Sequence, residues 1–266
     1  MSELKTRILV AVVLIPLALF ALYHGGIPLV IALGSIASLG SQEYIMMMRK
    51  AGIVIGKYWA LLSLLLYLAF IFMPGLDFVL IWTVILIALL ESGINWDVQK
   101  SFPRLTATVF GIIYTALFPA LIVRVGISYP EQKILLALIL MIWIVDSIAY
   151  FIGMRYGKNR NVTAISPRKS LEGFIAGALA PWLIVIILYI VRISFLPLSH
   201  LILLAVAAGI FGQIGDLAES MLKRFCNVKD SSNLIPGHGG ILDRSDSILL
   251  AGSFLYCALN ILEKVR

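Results

Sequence analysis

Long apolar segments follow one another along almost the whole chain, separated by short polar connections. Nine can be distinguished: residues 8–23, 27–48, 58–73, 77–92, 105–124, 134–154, 171–191, 200–223 and 241–262. Apolar residues run continuously within each segment instead of alternating, which favours spanning helices over the strands of a barrel. Proline lies near several predicted junctions, at Pro28, Pro74, Pro103 and Pro197. The pattern predicts an all-α, polytopic integral membrane protein with about nine transmembrane helices.

Composition supports a membrane protein. The 266 residues are 61% hydrophobic and 13% charged, whereas soluble domains carry about 25% charged residues. The first apolar segment, 8–23, lacks a small-residue cleavage site, which predicts a retained span instead of a signal peptide. Cys226 and Cys257 lie in different contexts and predict neither a disulfide framework nor a metal site. No soluble basic domain is evident, so the net charge of +7 does not indicate nucleic-acid binding.

The basic residues predict an orientation. With the N-terminus in the cytoplasm, the cytoplasmic segments hold 16 of the 21 Lys and Arg residues, as the positive-inside rule requires. The loops 155–170 and 224–240 then face the cytoplasm. No internal repeat of the kind found in many transporters is visible.

Candidate chemistry is concentrated in the second half. Seven of the 14 acids fall between residues 146 and 246: Asp146, Glu172, Asp216, Glu219, Asp230, Asp243 and Asp246. We therefore divide the chain into a membrane scaffold, 1–133, with about five spans, and a catalytic membrane region, 134–266, with about four. In the scaffold, Trp59, Trp82 and Trp96 are expected to lie at the membrane interface.

Two predicted spans contain acids. Asp146 lies deep in the sixth span with Tyr150 one helical turn further on; acids at this depth suggest function, and a helix-packing hydrogen bond is the alternative. In the eighth span one helical face carries Asp216, Glu219, Ser220 and Lys223. Internal neutralisation of the carboxylates by Lys223 is the alternative there.

The ninth span begins with a carboxylate pair. Asp243 and Asp246 are three residues apart and share a helical face. Two carboxylates so close repel each other unless a cation lies between them, and hard cations such as Mg²⁺ bind a few carboxylates together with substrate phosphates. Asp216 and Glu219 could complete such a site. Capping of the helix by Asp243 is the alternative, and it leaves Asp246 unexplained.

Two cytoplasmic loops carry candidate phosphate-binding residues. The sequence Gly237-His238-Gly239-Gly240 precedes the ninth helix, where glycine permits close backbone approach and a helix N-terminus attracts anions. Bases lie nearby at Lys223, Arg224, Lys229 and Arg244. The 155–172 loop adds Arg155, Lys158, Arg168 and Lys169. Ser166 and Pro167 are predicted as N-cap and first residue of the seventh helix, which directs Lys169 and Glu172 to the same surface. A plain positive-inside loop is the alternative.

These residues resemble the motif of the phosphatidate cytidylyltransferases, the CDP-diacylglycerol synthases. The order Ser-x-apolar-Lys-Arg, four residues, Lys-Asp, and then Pro-x-His-Gly-Gly-apolar-x-Asp-Arg-x-Asp occurs without a gap over Ser220–Asp246. Blocks around Asp146–Tyr150, Gly157-Lys158, Ile165–Lys169 and Gly215–Ser220 are also similar. The resemblance covers 146–246, and residues 1–140 match only as a membrane scaffold. Asn227 stands where a glycine is expected, and asparagine tolerates positive φ.

The resemblance implies transfer of a cytidylyl group from CTP to phosphatidate, giving CDP-diacylglycerol and pyrophosphate. Metal ligands would be Asp216, Glu219, Asp243 and Asp246, with Mg²⁺ as cofactor and a second cation left open. Catalytic residues would be Lys223, Arg224, Lys229, Asp230, His238, Asp146, Lys169 and Glu172. Substrate-binding residues would be Ser220, Gly237, Gly239, Gly240, Arg244, Ser166 and Tyr150.

The implied setting is the inner membrane of a bacterial cell, with the active site facing the cytoplasm and phosphatidate arriving sideways from the cytoplasmic leaflet. A homodimer is left open by small residues such as Gly173 and Gly177. Two alternatives remain: another CTP-dependent membrane lipid enzyme, such as a lipid kinase or a cytidylyltransferase for a different lipid phosphate, and a cation-coupled transporter.

Overall fold

The computed structural model describes residues 3–94, 96–130, 133–160, 165–193 and 195–265. In those ranges helices make up the fold, and β-structure is confined to two isolated bridges, Arg160 with Ser170 and Ile235 with Gly239. The predicted all-α class is therefore confirmed.

Each predicted apolar segment corresponds to a helix. The helices are α1 Glu3–His24, α2 Gly26–Lys50, α3 Tyr58–Phe72, α4 Asp77–Ile94, α5 Ser101–Ser128, α6 Ile134–Tyr156, α7 Leu171–Ile190, α8 Leu198–Phe225 and α9 Leu242–Val265. Among the described residues, eight are long and apolar enough to cross a membrane, and α3 is shorter, with 15 residues. The chain is a polytopic membrane protein; nine crossings and a cytoplasmic N-terminus stay predictions.

Three helices contain a π-helical segment, which no hydrophobic pattern indicates. These segments are Ile36–Gly40 in α2, Ile113–Leu117 in α5 and Ala207–Gly212 in α8. A π-turn accommodates an extra residue and changes which face the following residues present. In α2 and α8 it lies one turn before a buried or partly buried acid, Glu43 and Asp216 respectively.

Glycines allow the second-half helices to pack closely. A Cβ on Gly215 of α8 would lie 2.5 Å from the backbone oxygen of Asp246 in α9. A Cβ on Gly252 of α9 would lie 2.6 Å from Cγ1 of Ile122 in α5. Helix α9 is thus held between α8 and α5, and Leu249 and Leu255 on α9 are fully buried there.

The structure shows where the residues of two further expectations lie. Trp59 is buried and donates a hydrogen bond from Nε1 to Glu91 Oε2 of α4 at 2.8 Å. Trp82 and Trp96 are exposed, and an interfacial position stays a prediction for all three. Gly173 and Gly177 are buried against α6, where a Cβ on Gly173 would lie 2.6 Å from the oxygen of Ala149. These glycines serve packing within the chain, so they give no support to a homodimer.

Candidate active site

The close crossing of α8 and α9 brings the predicted carboxylates to one place. Gly215 permits that approach, and the residues that follow it on α8 face the first turns of α9. Lys223 lies between the two helices, with Nζ 2.5 Å from Glu219 Oε2 and 2.7 Å from Asp243 Oδ1. The alternative of internal neutralisation on α8 is thus correct for Glu219, but Lys223 also serves an acid on α9.

Glu219 is the most deeply buried acid of this group, only 1% exposed. Neither of its oxygens receives a well-directed hydrogen bond from the described residues, although Oε2 is within ion-pair distance of Lys223. The ion pair with Lys223 is attractive even without hydrogen-bond geometry, because two opposite charges at that separation attract whatever the angle. Glu219 therefore retains acceptor capacity that the protein does not use.

Asp216 has a partner from the loop before α7. Its carboxylate forms an ion pair with Lys169, and Ser220 Oγ lies 3.5 Å from its Oδ1. Arg224 donates from Nε to the oxygen of Ile165 at 3.3 Å, which ties the same loop to α8. The structure thus brings Lys169 and Arg224 to the predicted site.

The predicted start of α7 is wrong. The N-cap is Ser170, whose side chain accepts from the amide of Gly173 at 3.1 Å. Ser166 instead begins a turn in which its oxygen accepts from the amide of Lys169 at 3.1 Å. That turn, which contains Pro167, precedes the helix, and so Lys169 extends from a loop toward Asp216. Loop residues 161–164 lie outside the described residues.

Two other predicted residues are not brought to the carboxylates. Glu172 accepts hydrogen bonds from the backbone and side-chain nitrogens of Asn159, at 3.0 and 2.9 Å, and so holds the segment after α6. Tyr150 is 60% exposed and contacts Phe151 edge to face. Asp146, by contrast, lines the same cavity as Asp216.

The loop between α8 and α9 folds back on itself in tight turns. Asn227 has φ +53°, so the backbone conformation expected at that position is present without glycine, and Gly237 and Gly239 have φ +75° and +83°. The amide of Ile235 donates to the oxygen of Gly239 at 2.8 Å. Arg244 donates from Nε to the oxygen of His238 at 2.9 Å. His238 lines the cavity, and its Nδ1 is buried with no partner among the described residues.

Protein carboxylates occupy several amides at the start of α9. Gly240 donates its amide to Asp243 Oδ2 at 2.8 Å, and the amides of Ile241 and Leu242 donate to Glu43 at 2.9 and 3.0 Å. Asp243 therefore does act on the helix start, as the capping alternative held, in addition to pairing with Lys223. Because these amides already have acceptors, phosphate binding by the Gly240 amide is not available in this arrangement. Contacts from Gly237, His238 and Gly239 stay a prediction.

Sequence reasoning missed two buried polar residues of the first half. Glu43 is 2% exposed and contacts the loop before α9; a single acid inside the predicted span 27–48 was the signal that could have found it. Tyr114 is 3% exposed, its hydroxyl has no partner among the described residues, and it lies within electrostatic range of the α8 and α9 acids. No sequence feature distinguishes Tyr114 from the other tyrosines.

Both cysteines are free, and neither lies at the carboxylates. Cys226 is buried just after α8, and Cys257 is exposed on α9. Burial raises the pKa of the Cys226 thiol, so the thiol is protonated at neutral pH and reacts slowly while it stays buried.

A cavity of about 730 Å³ connects the charged residues to an apolar wall. Its described lining includes five acids and two bases: Asp146, Asp216, Asp230, Asp243, Asp246, Lys223 and Arg244. Its apolar wall comes from α1, α2 and α6, through residues such as Leu14, Leu33 and Trp143. The site can thus accept a ligand that has a polar end and a long apolar part.

The carboxylates fit a divalent cation in charge and in donor type, since hard cations bind carboxylate oxygens and acids outnumber bases in the cavity. Their present spacing is not a ready-made site: no group of three or more His, Cys, Asp or Glu residues within the described ranges is placed to hold a metal ion. Lys169 and Lys223 already form ion pairs with Asp216 and Asp243, and a bound cation would share these carboxylates with the two lysines. Metal binding stays a prediction.

Comparison with known proteins gives a consistent result. The model of the cytidylyltransferase family matches residues 5–262. The chain is 33% identical to the phosphatidate cytidylyltransferase of Bacillus subtilis (strain 168), covering 97% of this chain and 98% of that protein. It is 32% identical to the phosphatidate cytidylyltransferase of Thermotoga maritima, covering 100% and 99%, and 32% identical to that of Haemophilus influenzae, covering 94% and 96%. The chain therefore belongs to the cytidylyltransferase family, and it is an integral membrane enzyme of the nucleotidyltransferase class.

Proposed function

We propose that this protein transfers the cytidylyl group of CTP to phosphatidate, forming CDP-diacylglycerol and pyrophosphate at the inner membrane of a bacterial cell. The observation that carries the proposal is the shared cavity, in which the α8 and α9 charges adjoin an apolar wall formed by α1, α2 and α6. A phosphate end and two acyl chains match those two surfaces, since removing acyl chains from hydrocarbon costs about 0.8 kcal/mol per CH₂. The relatives' names support the same substrates.

In the proposed reaction an oxygen of the lipid phosphate attacks the α-phosphorus of CTP. A new P–O bond forms, and the bond from the α-phosphorus to the oxygen that leads to the β-phosphorus breaks, so pyrophosphate leaves with that electron pair. Attack by the phosphate dianion needs no protein base. The work of the protein is to position two mutually repelling phosphates and to stabilise the leaving group.

The bases of the site are suited to that task. Arg244 and Lys223 line the cavity, and the hydrogen bond from Arg244 to the oxygen of His238 holds one of its nitrogens. Lys229 and Arg224 are exposed, Arg224 near the end of α8 and Lys229 in the loop that follows it. We assign these residues to the triphosphate and to departing pyrophosphate. The predicted cytoplasmic position of the loop would give CTP direct access.

Asp216, Glu219, Asp243 and Asp246 would hold Mg²⁺, and the bound ion would neutralise phosphate charge and act as a Lewis acid. Asp243 also accepts from the amides of Ser231 and Gly240, so it would connect the ion with the loop. Lys169 holds Asp216 in place, and Asp146 faces the same cavity.

The test compares two labels in CTP, using purified protein in detergent with dioleoyl phosphatidate. Label at the α-phosphorus should enter the lipid, and label at the γ-phosphorus should be released in pyrophosphate. Lipid labelled from the γ-phosphorus would identify a kinase and overturn the proposal. Incorporation only with polyprenyl phosphate would move the enzyme to a different lipid phosphate, and no incorporation with any acceptor would favour the transporter alternative.

A further inference from the structure

Glu43 lies in the scaffold half of the chain, yet its carboxylate contacts the loop and helix that carry the active-site residues. Oε1 accepts from Ser232 Oγ at 2.6 Å and from the amide of Ile241 at 2.9 Å. Oε2 accepts from the amide of Leu242 at 3.0 Å. The Glu43 side chain is buried, with a relative exposure of 2%. These contacts join residues almost 200 positions apart in the chain.

The Ser231 hydroxyl contacts both Glu43 and Asp243. Ser231 Oγ lies 3.1 Å from Glu43 Oε2 and 2.8 Å from Asp243 Oδ2. A hydroxyl has a single proton, and the shorter distance assigns it to Asp243. Glu43 and Asp243 therefore lie on either side of Ser231, and together they accept the amides of Gly240, Ile241 and Leu242.

The local sequence explains why a distant acid is used. Helix α9 begins at Leu242, and the residue before it, Ile241, has no side-chain acceptor. The first amides of a helix need acceptors when they are buried, and Ser, Thr, Asp or Asn usually supplies one at the N-cap. Glu43 supplies it here from another helix, and its negative charge also suits the positive end of the helix dipole.

Packing around Gly240 leaves no room for a side chain at that position. A Cβ at that position would lie 2.0 Å from Ser231 Oγ and 2.5 Å from Glu43 Oε2. The glycine, the serine and the glutamate thus fix one another, and they fix the chain immediately before Asp243 and Asp246. A displaced helix start would move both carboxylates.

We infer that Glu43 is a positioning residue of the active site, which caps α9 from α2 and so sets the places of Asp243, Asp246 and the 231–241 loop. The inference rests on the proposed function for its kinetic consequence only. Glu43 does not contact substrate in this account; it acts through the α9 start and Ser232.

The experiment measures loop order and catalysis separately. In a Cys257→Ser background, the labelling rate of buried Cys226 measures how well the loop is ordered. Cys226 lies at the end of α8, where the loop begins. Glu43→Gln keeps the size of the side chain but replaces one of its two acceptor oxygens with an NH₂ donor. We expect maleimide labelling of Cys226 to be at least about fivefold faster and kcat to fall about tenfold or more, with KM for phosphatidate within about twofold.

Glu91→Gln is the matched control, since Glu91 is an acid of the same half of the chain and accepts a hydrogen bond from Trp59. Its Cys226 labelling rate and its kcat should equal those of wild type. Glu43→Asp should recover part of the lost kcat. Adding Ile241→Ser to Glu43→Gln supplies a local N-cap and should slow Cys226 labelling again.

Wild-type labelling and wild-type kcat in Glu43→Gln would overturn the inference, and so would slow turnover with unchanged labelling. Equal acceleration of labelling in Glu91→Gln would mean general destabilisation and would also overturn it. If wild-type protein transfers no cytidylyl group, the labelling arm still tests the cap, so failure of the proposed function is distinguishable from failure of this inference.

Discussion

Two groups of buried charge within this membrane protein differ in how completely their charges are matched. In one, Arg124 of α5 donates from Nη1 and Nη2 to the two oxygens of Asp77, at 2.8 and 2.7 Å. The same guanidinium also donates to the oxygen of Phe70 and to the hydroxyl of Tyr256. One cation meets one anion there, and hydrogen bonds satisfy most of the remaining donors.

In the other group, the charges do not balance. Lys223 lies between Glu219 and Asp243, Asp246 has no basic partner within ion-pair distance among the described residues, and the acids open onto a cavity that reaches an apolar wall. An excess of buried negative charge is unfavourable unless a cation compensates it. Buried charge alone therefore does not mark function in a membrane protein, whereas unmatched charge beside a cavity does.

The largest expected effect is the loss of activity when metal is removed, because the unmatched acids need a cation and the Arg124–Asp77 pair does not. Chelation with excess EDTA should abolish cytidylyl transfer, and added Mg²⁺ should restore it, because the α8 and α9 acids lack enough cations of their own. The Arg124–Asp77 pair needs no ion, so the protein should stay folded in EDTA, with a midpoint of thermal unfolding that is lower only by the stabilisation that the bound ion had supplied. Full turnover in excess EDTA would show that the α8 and α9 acids need no metal ion, and the two groups would then not differ in this respect.

Removing one unmatched acid comes next. Asp246→Asn is nearly isosteric and should purify normally, but kcat should fall at least about 100-fold, equivalent to roughly 2.7 kcal/mol of transition-state stabilisation. Asp243→Asn should lose as much activity and also some stability, because Asp243 accepts from Ser231 and Gly240 as well. Near-normal turnover of Asp246→Asn would show that its charge is not used.

A change in helix spacing should have an intermediate effect. Gly215→Ala places a Cβ against the rigid backbone of Asp246 and Ser247, so α8 and α9 must separate. Overpacking of this kind costs about 1–3 kcal/mol, and we expect about tenfold slower turnover. Gly93→Ala is the control, because nothing lies within 4 Å of its Cβ position; equal activity of the two variants would mean that the spacing is unimportant.

The smallest expected effect on activity comes from the balanced pair. Arg124→Met leaves Asp77 without its cation and should lower stability by about 2–4 kcal/mol, seen as a lower unfolding midpoint in detergent. Activity per folded molecule should stay within about twofold. A selective loss of kcat with an unchanged midpoint would show that the balanced group also serves catalysis.

The hydrophobic pattern was sufficient for the helices and for part of the site. Continuous apolar segments predicted each of the nine long helices in the described part of the chain, because a membrane helix satisfies its own backbone hydrogen bonds and so needs little from distant residues. Helical spacing also placed Asp216, Glu219 and Lys223 on one face correctly.

What depends on contact between distant residues could not be predicted. Glu43 reaches the α9 start across the fold, and its neighbours in sequence give no sign of the partner. The π-segments that orient α2 and α8 have no hydrophobic pattern of their own. Ser170 caps α7 in place of Ser166 because the turn after Ser166 is stabilised locally, a choice between two serines that spacing alone does not make.

Metal binding by the unmatched acids can be measured without catalysis. Mn²⁺ can be titrated into metal-free protein in detergent and followed by the loss of its free-ion electron paramagnetic resonance signal. We predict saturable binding by wild type and by Asp77→Asn, and loss of that binding in Asp246→Asn. Identical titration curves for wild type and Asp246→Asn would contradict the claim that the unmatched acids of α8 and α9 form the metal site.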